Sequence, residues 1–343
     1  MKVSVLIPYY NEAPNILQTV SLIIEALSYV QITVFEILVL DDGSMDISEA
    51  LNDQLLTFPH TRIINFVHQG KYKTRISGLE IAAYDDILLC DARVRLHHSA
   101  LAFLSETTGQ RQMARNGHVT FDPAARIWMV FWESMSRIVW PQVFSSSFTQ
   151  GTINENNFNS WPKGTGLFFA PKNLLLHAMK DTQSLFQNDE LSSDDTLVLM
   201  EIAKAEGIIY DSSFSADYSP RSKFIDFQKH VFERGTHAVD SFGHKLSAIS
   251  LILGVVALLP IIFLAATSFF GSTRVLTLWI SLIGVLVLFI FTFGLAVLKK
   301  LPTKFTVSLL MMLPIAAPSY VAGLYRGLGL AIAGRFRGLH NAK

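Results

Sequence analysis

The first ninety residues alternate between short apolar runs and stretches with helical spacing. Val3 to Pro8 (VSVLIP) and Glu36 to Asp41 (EILVLD) read as strands. Between them Ile16, Val20, Ile23, Ile24 and Leu27 fall on one helical face. Two more strands are expected at Arg62–Val67 and Ile87–Cys90, with a helix over Lys73–Ala83. Strand, helix, strand, repeated, predicts a mostly parallel α/β sheet. In such sheets ligand-binding groups gather beyond the carboxyl ends of the strands. Those places hold Tyr10-Asn11-Glu12, Asp41-Asp42-Gly43-Ser44 and Asp91, a pattern that suits a nucleotide.

The pattern changes after residue 245. Leu246 to Thr273 carries no charge, and after Arg274 a second uncharged run covers 275–298. Each is long enough to cross a hydrocarbon core of about 30 Å as a helix, so membrane helices are expected over about 246–271 and 275–298. A basic linker (Lys299, Lys300, Lys304) leads to a third segment, about 305–328, interrupted by Pro314 and Pro318. If it crosses, the basic residues after it end outside, against the positive-inside bias. If it lies in the interface or re-enters, they stay inside. The sequence leaves both open. Met1-Lys2 leads into a strand too short and too quickly polar for a secretory leader. The expectation is therefore a cytoplasmic domain over 1–240 and a membrane domain over 241–343.

Composition agrees. Hydrophobic residues make up 50% and charged residues 16%, against roughly 25% charged in a soluble protein. The net charge of +0 hides two unlike parts. From Leu246 onward there are eight basic residues and no acidic one, leaving 20 basic and 28 acidic before it. A basic tail suits an anionic lipid surface, and the absence of a basic excess argues against a nucleic-acid partner. The single cysteine, Cys90, excludes a disulfide framework and a four-thiolate zinc site.

Asp41 and Asp42 suit a base or ribose, or they simply make a turn. Lys71, Lys73 and Arg75 neutralise a diphosphate, or they start a solvated helix. Asp91 is one carboxylate, enough for Mg²⁺ only if waters and phosphate oxygens complete the shell. Asp194 and Asp195 precede TLVLMEIAKAEG and act as helix cap or as general base. Trp161, in NSWPKGTGLFF, stacks on a sugar or fills a wall. Lys229, His230 and Arg234 anchor to a membrane surface or reach a leaving diphosphate. Neither a Gly-x-Gly-x-x-Gly turn nor a Gly-Lys-Ser/Thr loop is present.

The order of these clusters resembles the family 2 glycosyltransferases, which have a GT-A fold. VSVLIPYYNE is similar to the family's first strand. EILVLDDGSMD is close to its Glu-Ile-x-Val-Val-Asp-Asp-Gly-Ser-x-Asp segment, the most specific piece. LLCDAR stands at the Asp-x-Asp position, and GTGLFFAPKNLL resembles the acceptor-side Gly-x-Gly segment. Ser193-Asp194-Asp195 matches Thr-Glu-Asp, and Gln228 to Arg234 stands where processive members have Gln-x-x-Arg-Trp.

The resemblance implies a membrane-anchored, non-processive, inverting transferase. It would move one monosaccharide from a UDP- or GDP-sugar to a lipid-linked, polyprenyl-type acceptor. Pro8, Tyr10, Glu12, Asp41 and Asp42 would line the nucleotide pocket. Lys71, Arg75, Asp91, Arg93 and Arg234 would meet the diphosphate. Asp195, with Asp194 beside it, would be the base, and Trp161, Gly164, Thr165 and Gly166 would form the acceptor side. A divalent cation, Mg²⁺ or Mn²⁺, would sit on Asp91. Two departures bear on this. The Asp-x-Asp motif reads Asp91-Ala92-Arg93, so metal binding is weaker, recruits another ligand, or is partly replaced by Arg93. Gly235 follows Arg234 where the family has tryptophan. The partners implied are the donor, the acceptor, membrane lipids and, with the oligomeric state open, a second copy in a homo-oligomer. Competing readings are a polyprenyl-phosphate monosaccharide synthase, a nucleotidyltransferase, or an inactive paralogue serving as a membrane scaffold.

Overall fold

The computed structural model describes residues 1–105, 113–122, 125–188, 191, 195–244, 247–269 and 274–341. The chain forms two compact units. One comprises 1–124, 142–184 and 188–220; the other comprises 125–141, 185–187 and 221–343.

The first unit is built on a mixed sheet. It opens with β1 (Lys2–Tyr9), α1 (Ala13–Tyr29), β2 (Val34–Asp41), α2 (Glu49–Leu56), β3 (Thr61–Asn65), α3 (Lys71–Ile81) and β4 (Asp86–Cys90). Each expected strand and helix is present within about two residues of its predicted ends. β5 (Val94–Leu96) and β6 (Arg115–Phe121) follow, and α4 (Phe131–Val139) belongs to the second unit. β7 (Gln150–Ile153), β8 (Leu167–Pro171), α5 (Lys172–Asp181), α6 (Thr196–Ala205) and β9 (Ile208–Tyr218) complete it. The strand order is β3-β2-β1-β4-β8-β6-β9-β5, with β7 also on β9.

The four strands β3, β2, β1 and β4 are parallel, and β8 runs antiparallel to β4. Their central residues are apolar on both faces because helices cover parallel sheets on both sides. Val3, Val5 and Ile7 pack with Ile16, Val20, Ile23 and Leu27 of α1 in one core. On another face Gly78 lets α3 approach closely: a Cβ there would meet Leu40 at 2.3 Å.

The second unit is helical. It holds α4, α7 (Phe224–Phe242), α8 (Ala248–Phe269), α9 (Arg274–Leu298) and α10 (Thr303–Asn341). Helix α7, whose sequence lies within the expected 1–240 span, clusters here: Phe227 and Val231 bury with Phe131 of α4 and Leu309, Met312 and Ala316 of α10. The third apolar segment is part of one continuous helix, Pro314 and Pro318 included. Within it Thr303–Phe336 is long and apolar enough to cross a membrane. The apolar segments described in α8 and α9 are shorter, Ala248–Ile262 and Leu286–Leu298.

Candidate active site

The carboxyl ends of β1, β2 and β4 bring the predicted residues of the first unit together. Register decides this, since Tyr9 pairs with Asp41 and Leu6 with Leu89. Asp41 and Asp42 are buried, at 5% and 4% exposure. Asp41 accepts from the Ser44 amide at 2.9 Å and shapes the turn. Asp42 is engaged within the protein. Its carboxylate accepts from the Gln69 amide (2.9 Å), the Gly70 amide (3.1 Å) and the Thr74 hydroxyl (2.9 Å), and it lies 2.9 Å from His68 Nδ1. Asp42 therefore brackets the loop before α3. Gly70 takes φ 86° at that helix start, a conformation glycine adopts at little cost.

Tyr10 is half exposed and stacks on His68 with ring centroids 4.5 Å apart. Beside it Asn11 adopts φ 55° and accepts from the Met45 amide at 2.9 Å. Tyr9 donates to Asp46 at 2.7 Å. Burial, then Asp46, push its phenol well above the ordinary range. Pro8, next to Tyr9 in β1, is partly buried.

Asp91 is held by two cations. Lys71 Nζ lies 3.0 Å from Oδ2, and Arg75 Nη2 lies 2.8 Å from Oδ1. Arg75 is fully buried and also donates to the Thr165 carbonyl at 3.2 Å and to its hydroxyl. The Asp91 amide donates to the Gly166 carbonyl at 2.8 Å. Thr165 then reaches Asp195: its amide donates to Oδ1 at 2.8 Å, and its hydroxyl to the same atom. One polar chain thus runs Lys71–Asp91–Arg75–Thr165–Asp195. Asp195 precedes α6 without a side-chain cap bond, so its carboxylate serves Thr165 rather than the helix.

The donor set at Asp91 fits a divalent cation poorly. Ala92 brings no ligand, and Arg93 turns away to Glu12, with Nε at 2.7 Å from Oε1. Both Asp91 oxygens already face cations, so an ion would have to displace Lys71. Among the described residues there is no group of three or more His, Cys, Asp or Glu placed to hold a metal.

On the expected acceptor side, Gly164 donates its amide to Asn116 Oδ1 at 3.1 Å, and Thr165 is buried. Trp161 packs against Tyr210 and Phe148, with centroids 5.8 and 5.9 Å away, and closely over Gly151. That is a wall position. Between them Lys163 donates to the Phe158 and Trp161 carbonyls at 2.6 and 2.9 Å. Burial lowers its pKa to about 8.

Arg234 lies in α7, in the second unit. There its Nε donates to His230 Nε2 at 3.0 Å, and its guanidinium sits 4.5 Å from the Trp132 ring centre. Asp194 lies outside the described residues. Sequence reasoning missed His68, Gln69, Thr74 and Asn116. His68 and Gln69 follow β3 and were findable from the strand-end rule. Thr74 and Asn116 gave no local signal.

Against known proteins, residues 4–102 match Glycosyl transferase family 2. No match was found among curated proteins. Among solved structures, the mannosyltransferase PcManGT from Pyrobaculum calidifontis, in complex with GDP-Man and Mn²⁺, is 15% identical. The alignment covers 95% of this chain and 87% of that one, with a TM-score of 0.57. S. aureus TarS 1–349 is 16% identical over 94% of this chain and 89% of that chain, with a TM-score of 0.46. The likeness to the mannosyltransferase shows the fold, and the family match lies on the segment that carries Asp41, Asp42, Lys71, Arg75 and Asp91. The chain is therefore a transferase enzyme, of the glycosyltransferase type.

Proposed function

We propose that this enzyme is an inverting, non-processive glycosyltransferase that moves one monosaccharide from a nucleotide sugar to a lipid-linked, polyprenyl-type acceptor. The observation that carries the reading is the continuous polar chain from Lys71 to Asp195. It joins the strand-end cations, suited to a diphosphate, to a carboxylate suited to an acceptor hydroxyl. The structurally similar mannosyltransferase was solved in complex with GDP-Man. A UDP- or GDP-sugar is the corresponding donor here.

In this reading the Tyr10–His68 stack and Asp41 receive the base and ribose. Lys71 and Arg75 lower the charge of the departing diphosphate, and Asp91 fixes both of them. Asp195 accepts the proton of the acceptor hydroxyl as that oxygen attacks the anomeric carbon. The bond to the diphosphate breaks from the opposite face, so configuration inverts. The Thr165 donors keep the Asp195 carboxylate oriented. Because Asp91 is met by Lys71 and Arg75, no step is assigned to a metal.

A lipid acceptor and a multi-pass membrane location rest on the second unit. Leu251, Ile252, Val255, Leu258, Ile261 and Ile262 of α8 are each more than half exposed, an apolar surface that lipid would cover. A hydroxyl acceptor suits Asp195 better than a polyprenyl phosphate, which is already ionised. The test is a screen of the purified full chain in lipid, with UDP-, GDP- and dTDP-sugars and polyprenyl-linked acceptors. Sugar transfer to a hydroxyl-bearing lipid supports the reading. Transfer to a polyprenyl phosphate alone favours the synthase alternative.

A further inference from the structure

Helix α10 is the longest apolar helix of the chain, yet its packing does not suit a helix that crosses a bilayer. It runs parallel to α7 and touches it along much of its length. Gln228 lies 2.5 Å from the Ser319 hydroxyl, and Thr236 donates to the Gly323 carbonyl at 3.2 Å. Glycines permit backbone contact: a Cβ on Gly235 would meet the Tyr320 carbonyl oxygen at 2.2 Å, and one on Gly323 the Phe232 carbonyl oxygen at 2.0 Å. A Cβ on Gly327 would lie 2.6 Å from the Thr236 carbonyl oxygen. These direct contacts run from Ser319 to Gly327, inside the apolar span Thr303–Phe336. That is about 12 Å of helix at 1.5 Å per residue, well within the span that would have to sit in hydrocarbon.

Helix α7 cannot follow α10 into hydrocarbon. Its exposed positions include Lys229, Glu233 and Arg234, and charged groups at the bilayer centre are costly. The other side of α10 is apolar. Met311, Ile315, Tyr325, Ile332 and Phe336 are 38–68% exposed and recur at helical spacing along one stripe. Arg326 and Arg335 stand exposed beside it. One face on a charged helix, one apolar stripe and flanking arginines are the features of an interfacial helix.

Resting on the membrane reading above, we propose that α10 lies in the plane of a lipid surface, its stripe in the headgroup–acyl boundary, and does not cross. The occupant of the stripe is lipid rather than protein, because the apolar surface continues onto the neighbouring helices. Tyr325 donates to the Ala257 carbonyl of α8, and Leu288, Phe289 and Thr292 of α9 share a small cavity with Leu309, Leu310 and Leu313. The flanking arginines match anionic headgroups. The basic residues after Tyr325 then stay on the side of α7, in keeping with the positive-inside bias.

Spin-label depth measurement tests this on the full chain in phosphatidylcholine–phosphatidylglycerol vesicles. Single cysteines replace Met311, Ile315, Ala322, Ile332 and Phe336, with Val255→Cys on α8 as an independent reporter. Native Cys90 is fully buried and its thiol is pushed up by burial, so it does not take the label. The expected result is one shallow depth, roughly 5–10 Å, at all five stripe positions. A depth that rises to a maximum near the middle of the series and falls again means a crossing helix and overturns the proposal. Water exposure along the stripe with Val255 in lipid also overturns it and leaves the membrane reading standing. Water exposure at Val255 as well removes the membrane reading itself.

Discussion

In the proposed reading the chemistry turns on Asp195. Its carboxylate is oriented by two Thr165 donors and not spent on the helix that follows it. Asp195→Asn keeps the shape and removes the base. Turnover is expected to fall by about 10²–10⁴, while the dissociation constant for the donor nucleotide stays within about twofold. Unchanged turnover in a steady-state assay would place the base elsewhere. Lys71 carries the opposite signature. With Lys71→Ala, nucleoside diphosphate affinity is expected to drop about tenfold or more, the loss of a charge-assisted contact. Because two cations already flank Asp91, chelation of divalent ions is expected to leave the affinity of the parent protein within about twofold. A titration that loses binding in chelator would show that an ion displaces Lys71. Asp41, Asp42 and Asp91 were legible from sequence because each ends an apolar strand. The engagement of Asp42 with Gln69, Gly70 and Thr74 was not. Nor was the link from Arg75 to Thr165, because it joins positions ninety residues apart, which local pattern does not encode.

Among the elements, β1 to β4 with helices α1 and α3 were readable within a few residues because apolar period and strand length agree there, whereas the short α2 gave no expectation. Helix α7 was not legible as an element of its own, for a physical reason. Its sequence is mostly polar, and Phe227, Val231 and Gly235 match α4 and α10, which a one-dimensional pattern does not reveal. The glycine contacts make a direct prediction. Gly323→Val forces a side chain into the Phe232 carbonyl, and overpacking of this kind costs about 1–3 kcal/mol. The helical unit should become more susceptible to limited proteolysis between 221 and 244, while nucleotide binding is retained. The same helix contains a pH-sensitive contact. Burial, with Arg234 and Arg221 acting in the same direction and Glu233 against them, lowers the His230 pKa to about 4. A neutral His230 is required to accept from Arg234. The folded pKa lies below the ordinary 6.5, so protonation favours the unfolded state. Stability from this group should be full above about pH 6.5 and decline as pH falls toward 4. Thermal melts of the parent and of His230→Gln should diverge over that window and run parallel above it.

At the scale of the whole molecule, the even charge balance separates into an acidic N-terminal part and a basic tail. The fold divides differently, because residues 125–141 and 221–244 join the helical unit. Pattern alone found the four parallel strands β1 to β4 and the apolar C-terminal segments, and not strands β5 to β9. It left the third apolar segment undecided, because crossing and lying flat have the same composition and differ only in what packs against the helix. The central claim is narrower than the pathway or the sugar: the ends of β1, β2 and β4 form a nucleoside diphosphate site whose charge is met by Lys71 and Arg75. Calorimetric titration of the purified full chain with UDP, GDP and dTDP tests it most directly. At least one should bind with a micromolar dissociation constant, and Lys71→Ala should weaken that binding about tenfold. Binding of none of the three, with or without Mg²⁺ or Mn²⁺, would contradict the claim.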